Sequence, residues 1–133
     1  MATRKNEVVP EVEDYTGDID GGGVKGCMFV AKLPLELIVP GFIVGIARVL
    51  GYGREKYAAN NWLRGMSWTT VYGGVQRHLT AWYMGEEYDL ESKLSHLFHA
   101  ACGIMFLVMY SVLRPHLYGQ FDDRVFLDEG EDA

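Results

Sequence analysis

The sequence predicts an all-α domain: a small helical bundle of three main helices that is completed by oligomerisation. Apolar residues recur at helical spacing in three segments, and capping or helix-breaking residues bound each segment. A chain of 133 residues suits one domain with a modest core, so self-association would help it to bury apolar surface. The eight Tyr, six Phe and three Trp residues exclude a disordered composition.

The first helix is predicted from Gly41 to about Tyr57. Pro40 stands directly before it, and residues 58–67 are predicted to form a loop after it. The apolar positions of this segment follow the helical period: Phe42, Ile43, Ile46, Val49 and Leu50.

Two further helices are bounded by capping residues. Ser67 is a favourable N-cap for a helix over about 68–84, and Gly85 is a favourable residue to close it. An acidic stretch then leads into a third helix, for which Ser92 is the predicted cap and which ends before Pro115.

The third helix contains a long apolar run, residues 94–113, which matches a membrane span in length. We favour a bundle helix without a membrane partner, because His96 and His99 lie in its first turns and no second such segment occurs. The N-terminal residues lack the apolar stretch of a signal peptide. Cys27 and Cys102 form no CxxC pattern, so we expect a cytoplasmic protein.

Charge divides the chain into three parts. Residues 1–31 are predicted to be a flexible acidic and glycine-rich arm, 32–116 the folded domain and 117–133 an acidic tail. The first 20 residues carry six acids against two bases and the last 12 carry six against one, whereas the part between them carries nine bases against six acids. A mildly basic middle suits an anionic small ligand. Its scattered Lys and Arg residues do not form the surface that duplex nucleic acid requires.

Four of the six carboxylates in the middle of the chain lie in one short stretch, as Glu86, Glu87, Asp89 and Glu91. Several oxygens close together are what Mg²⁺ or Mn²⁺ binds. The alternative is a solvated linker whose negative charge favours the N-terminus of the next helix.

Three histidines are the second candidate cluster. His96 and His99 are three residues apart, so they share one face of the third helix, and His78 lies on an apolar face of the second. Single histidines of this kind usually belong to the core. When three such histidines lie beside an acidic stretch, a metal or catalytic centre becomes about as good an interpretation as a role in the core.

A third candidate is the segment GYGREKYAANNW, residues 51–62. Lys56, together with Arg77 of the second helix, can contact phosphate groups. Tyr57 and Trp62 can stack on a base, and Asn61 can hydrogen-bond its edge. The alternative is a loop whose aromatic residues pack on the core.

An ordered series of short motifs joins these stretches: Gly53, Lys56 and Tyr57; Asn61 and Trp62; Arg77 and His78; Gly85 and Glu86; Asp89, Glu91 and Ser92; and His96, His99 and Ala100. The series, over roughly residues 32–108, resembles the phage dATP/dGTP diphosphohydrolase family, which is related to the MazG-type all-α nucleotide pyrophosphohydrolases.

The resemblance implies a dimeric or tetrameric enzyme of the host cytoplasm that uses Mg²⁺ or Mn²⁺ to convert dGTP or dATP to the monophosphate and pyrophosphate. With the residue pattern, it gives predicted metal ligands (Asp89, Glu91, His96 and His99), catalytic residues (Glu86, His78 and Glu91) and nucleotide-binding residues (Lys56, Tyr57, Asn61, Trp62 and Arg77).

Two departures from the family pattern support an alternative function. The first helix has no acid before Glu55, where relatives commonly carry acidic residues, and Lys93 replaces a usual glycine. The alternative is a non-hydrolytic protein, a phage sponge that binds a nucleotide or a cyclic-nucleotide signal.

Overall fold

The structure is a computed structural model that describes residues 32–126. The predicted arm, residues 1–31, and the end of the predicted tail therefore lie outside the described residues. The chain divides into two compact units, Met1–Pro40 and Gly41–Ala133. The described part of the first unit contains one 3₁₀ turn at Leu35–Leu37.

The second unit is all-α, as the sequence predicts, and residues 41–126 contain no strand. Its three main helices are α1 (Pro40–Lys56), α2 (Trp68–Tyr83) and α3 (His96–Val108). A π-helical turn (Met109–Leu113), the short α4 (Pro115–Tyr118) and 3₁₀ turns at Asn61–Arg64 and Gly119–Phe121 complete the unit. The three-helix prediction is confirmed, whereas oligomerisation stays a prediction.

Both ends of α2 follow the sequence signals. The Ser67 side chain accepts a hydrogen bond from a backbone N–H of the first turn at 3.1 Å. Gly85 has a φ of 101°, and its N–H bonds the Trp82 carbonyl while the N–H of Glu86 bonds that of Ala81, each at 3.0 Å. This paired closure needs a left-handed residue, which glycine supplies. The chain therefore reverses directly after α2.

The predicted cap of α3 is wrong: Ser95, not Ser92, caps this helix, and its side chain accepts from the N–H two residues on. The reason is a tight hairpin loop over residues 88–95, in which Tyr88 pairs with Ser95. Lys93, at a left-handed φ of 64°, donates its N–H to the Asp89 carbonyl at 2.8 Å. The helix can begin only after this loop closes.

The helices α2 and α3 pack closely at Gly103. A Cβ atom at this position would lie 2.5 Å from Cγ2 of Val75, so only glycine allows the two backbones to approach this far. Towards the C-terminal end of α3, a core forms around Trp68, Val71 and the fully buried Tyr110; partly buried side chains packed against it are Trp62, Met66, Phe106, Leu107, Met109, Tyr118 and Phe121.

The segment His96–Leu113 is long and apolar enough to cross a membrane, with a mean hydropathy of 1.7. The central helix of a soluble bundle passes the same test. Here the segment packs along α2 on one side, and 22% of it is buried. The absence of a membrane partner stays a prediction.

The start of the predicted tail is part of the folded unit. Asp123 Oδ2 accepts a hydrogen bond from Ser67 Oγ at 2.5 Å, and its Oδ1 accepts from the Thr69 N–H at 2.9 Å. The hydrogen bond from Ser67 has the largest effect on this carboxyl group. Together with the bond from Thr69, it lowers the pKa of Asp123 to about 2. The carboxylate thus holds the N-terminus of α2, where negative charge is favourable.

An Asp123→Asn variant is expected to melt a few degrees below the parent at pH 7. Because the folded pKa of Asp123 lies below the unfolded one, its contribution is complete above about pH 4 and is lost as the pH falls towards 2. Thermal melts from pH 7 to pH 2 would measure this, with Glu55→Gln, an exposed carboxylate of α1, as the control. A difference that does not change with pH would contradict the role of the charge.

Candidate functional site

The structure brings together the three histidines that the sequence singles out. His78 of α2 and His96 of α3 face each other, with their Nδ1 atoms 2.9 Å apart. The ring of His99 stacks on that of His78, with centroids 4.6 Å apart and planes 10° from parallel. The three rings form one cluster between α2 and α3, which we call the histidine centre.

One carboxylate of the hairpin loop reaches this centre. Asp89, His78 and His96 each offer a metal-ligating atom, and these atoms lie within 4.8 Å of one another. Asp89 Oδ2 accepts hydrogen bonds from the N–H groups of Ser92, at 2.8 Å, and of Glu91, at 3.1 Å. Burial by itself would raise the pKa of the Asp89 carboxyl group. The hydrogen bonds outweigh this effect, so the pKa is lowered.

Glu86 binds the histidine centre from the side opposite His78. Its Oε2 lies 2.6 Å from Nε2 of His96. Since an ionised carboxylate only accepts hydrogen bonds, Nε2 of His96 carries the proton and donates it to this bond. Nδ1 of His96 therefore remains directed at His78, while the Glu86 side chain stays 44% exposed to solvent.

The surroundings of His78 and His99 favour the neutral form of both rings. Burial lowers the pKa of His78, and the neighbouring His99 and His96 lower it further. Burial also lowers the pKa of His99, although Asp89 opposes the shift. Nε2 of His99 is paired with the hydroxyl of Ser92 at 2.7 Å. Neutral imidazoles of this kind can accept a proton or ligate a metal.

Glu91 lies apart from the histidine centre and binds α1. Its Oε2 accepts hydrogen bonds from Lys56 Nζ, at 2.8 Å, and from the hydroxyl of Tyr52. The bond from Lys56, followed by that from Tyr52, lowers the pKa of Glu91, and the same bonds raise the pKa values of Lys56 and Tyr52. This contact ties the hairpin loop to the end of α1.

Three of the predicted nucleotide-binding residues line one open cavity of about 690 Å³, namely Tyr57, Asn61 and Trp62. One face of the Trp62 ring stacks on Phe106, with centroids 4.6 Å apart. The other two predicted residues lie elsewhere: Lys56 pairs with Glu91 as described, and Arg77 is exposed on α2 directly before His78.

A family model described as "dATP/dGTP diphosphohydrolase, N-terminal" matches residues 25–124 of this sequence, which is most of the chain. The chain belongs to this family. The family match includes all three main helices, the histidine centre and the cavity, and it agrees with the resemblance seen in the sequence motifs.

A relative from Salmonella phage PMBT28, named a dATP/dGTP diphosphohydrolase, is 38% identical over 84 residues. The aligned part is 63% of this chain but only 29% of that protein, so this chain spans less than a third of the length of its relative. No solved structure matches the chain.

Sequence reasoning missed one site residue of this chain and assigned another to the wrong role. Tyr52, which binds Glu91, lies four residues before Lys56 and so shares its helix face, a spacing that could have identified it. Ser92 was assigned to the wrong role: its hydroxyl pairs with His99. No local signal distinguishes that contact from a helix cap.

Proposed function

We propose that this chain is a metal-dependent nucleoside triphosphate pyrophosphohydrolase that converts dGTP or dATP to the monophosphate and pyrophosphate. The observation that carries the proposal is membership of the dATP/dGTP diphosphohydrolase family. The name of the phage relative supports the same reaction and the same purine substrates.

The reaction adds one water across the bond between the α- and β-phosphorus atoms. The water oxygen bonds to the α-phosphorus, pyrophosphate leaves, and the proton of the water passes to a base. Two groups of the chain suit that role: neutral His78 and the partly exposed carboxylate of Glu86. Both are hydrogen-bonded to His96, so the base is held in a defined orientation.

A divalent ion, Mg²⁺ or Mn²⁺, would supply charge that stabilises the phosphates during this reaction. The set predicted from the sequence is Asp89, Glu91, His96 and His99. Of these, Asp89 and His96 belong, with His78, to one group whose potential ligand atoms lie within 4.8 Å of one another, which supports a metal at the histidine centre.

The cavity is the proposed site for the purine base. Tyr57 and Trp62 offer aromatic rings, and Asn61 offers an amide for the base edge. Lys56 precedes Tyr57 in sequence and pairs with Glu91 of the hairpin loop. A nucleotide with its base at Tyr57 would therefore have a cation for its phosphates nearby, and exposed Arg77 is a second candidate.

The proposal is tested by incubating the protein with each dNTP and NTP in Mg²⁺ or Mn²⁺ and separating the products by chromatography. Monophosphate and pyrophosphate in equal amounts, with dGTP or dATP as the best substrate, is the expected result. Release of orthophosphate, or no turnover of any nucleotide, would refute the proposed reaction.

Replacing Tyr57 by Ala is expected to raise the KM for the purine nucleotide about 10-fold with little change in kcat. The side chain is 57% exposed and lines the cavity, so its loss removes a stacking contact of about 1–3 kcal/mol. Tyr83→Ala is the matched control, because that ring is 84% exposed on α2 and outside the cavity. Equal KM values for both variants would place the base elsewhere.

A non-hydrolytic sponge for a nucleotide or a cyclic-nucleotide signal is the second candidate. It is favoured by α1, in which Glu55 is the only acidic residue, and by Glu91, whose charge is paired with Lys56. Tight nucleotide binding in calorimetry, with no products in the assay above, would select this function.

The proposal includes self-association into dimers or tetramers in the cytoplasm, without a membrane or duplex nucleic acid as partner. Phe42, Ile43 and Val44 of α1 are 48%, 57% and 46% exposed, which is a large apolar surface for one helix. Sedimentation velocity measures the oligomeric state, and a monomer at micromolar concentration would refute self-association.

A further inference from the structure

We propose that His78, Asp89 and His96 bind one divalent transition-metal ion, of the class of Mn²⁺, Co²⁺ or Zn²⁺, in preference to Mg²⁺. The inference deepens the proposed function, and the role of the ion in catalysis rests on that function. The binding of the ion itself depends only on the three side chains, so it can be tested without turnover.

The spacing of the two imidazoles fits a shared ion. Two imidazole nitrogens on one metal, each about 2.0–2.1 Å from it, are about 2.8–3.0 Å apart at an octahedral angle and about 3.3–3.4 Å apart at a tetrahedral angle. Nδ1 of His78 and Nδ1 of His96 are 2.9 Å apart, which requires almost no movement. One carboxylate oxygen of Asp89 lies within 4.8 Å of a ring nitrogen of each histidine.

Each proposed ligand is also held by a neighbour. A metal-bound histidine commonly donates its second ring N–H to a carboxylate, which orients the ring and makes its other nitrogen a better ligand. His96 does this with Glu86 at 2.6 Å. His78 is fixed by stacking on His99, and Asp89 by two backbone N–H groups of the hairpin loop.

The type of ligand decides the class of metal. Mg²⁺ prefers oxygen ligands, whereas imidazole nitrogens bind the later first-row transition metals more tightly. Two nitrogens and one carboxylate oxygen therefore disfavour Mg²⁺. Three protein ligands also leave coordination positions for water or for phosphate oxygens, as catalytic sites require.

This set differs from the one predicted from the sequence, because His78 takes the place of Glu91 and His99. The hydrogen bonds of Glu91 go to Lys56 and Tyr52, and Nε2 of His99 is paired with Ser92. With His78 as a ligand, Glu86 is the better candidate for the base that takes the proton from water.

Binding is tested by calorimetry of the metal-free chain with Zn²⁺, Mn²⁺ or Mg²⁺ alone. We expect one Zn²⁺ or Mn²⁺ ion per chain, bound at least about 10-fold more tightly than Mg²⁺. His78→Ala and Asp89→Asn should each weaken Zn²⁺ binding at least about 10-fold. His116→Ala, which removes an exposed histidine of α4, should bind Zn²⁺ as the parent does.

A second measurement uses only the parent protein, so it does not depend on the folding of a variant. Zn²⁺ is titrated into ¹⁵N-labelled protein, and the ring nitrogens of the histidines are followed by NMR. Shifts at Nδ1 of His78 and His96, with none at His116, support the site. Equal affinity for Mg²⁺ and Zn²⁺, or shifts at His99 in place of His78, would overturn it. Selective Zn²⁺ binding without nucleotide turnover would refute the proposed reaction and leave the metal site intact.

Discussion

A His78→Ala variant is expected to hydrolyse dGTP and dATP at least about 100-fold more slowly than the parent. His78 bonds His96 and stacks on His99, so its removal takes away one of the two candidate bases and one proposed metal ligand. The two roles are alternatives: loss of a positioned base costs about 10²–10⁴-fold in rate, and loss of a metal ligand costs at least about 10–100-fold. The rate of monophosphate formation at saturating nucleotide measures the effect.

His116→Ala is the control for that experiment, because it removes the one histidine of the described residues that lies outside the histidine centre. We expect its rate to equal that of the parent. Circular dichroism at the assay temperature must show that His78→Ala retains its helices. A folded His78→Ala variant with parental activity would move the chemistry away from the histidine centre.

Gly103→Ala is expected to lower the free energy of unfolding by up to about 2 kcal/mol, although alanine is the better helix former. The added methyl group would meet Val75 at 2.5 Å, and Val75 is only 6% exposed, so it cannot move into solvent. Overpacking of this kind costs about 1–3 kcal/mol, whereas the gain in helix propensity is about 1 kcal/mol. Urea denaturation measures the difference.

Gly51→Ala in α1 measures the effect of helix propensity alone, because no neighbouring atom lies within 4 Å of the added Cβ. This control should raise the stability by up to about 1 kcal/mol. The clash itself is tested by adding Val75→Ala: in that background Gly103→Ala should no longer destabilise the protein. If Gly103→Ala and Gly51→Ala change the stability alike, α2 and α3 do not pack closely at Gly103.

Local chemistry was sufficient to predict the helices of this protein. The apolar period of α1, the Ser67 cap and the Gly85 closure of α2 each act within a few residues, so they can be read directly from the chain. The same holds for the pairing of His96 and His99 on one face of α3, because a separation of three residues sets that geometry in any helix.

The partners of the acidic residues were decided only by the tertiary structure. In the sequence, Glu86, Asp89 and Glu91 are equivalent carboxylates of one stretch. In the fold, the hairpin loop directs Asp89 to the histidine centre, while Glu91 bonds Lys56 of α1. The Lys56–Glu91 contact joins residues 35 apart in the chain, and the Asp89 contact depends on the fold of the hairpin loop, so a local pattern carries no information about either.

The sequence by itself determined the all-α class and the number of main helices, because these depend on short-range periodicity, and the ordered motifs pointed to the family to which the chain belongs. Only the tertiary structure decided that His78 joins Asp89 and His96 in one cluster and that Ser92 binds His99. The physical reason is that the hairpin loop and the close approach of α2 and α3 at Gly103 set these distances together.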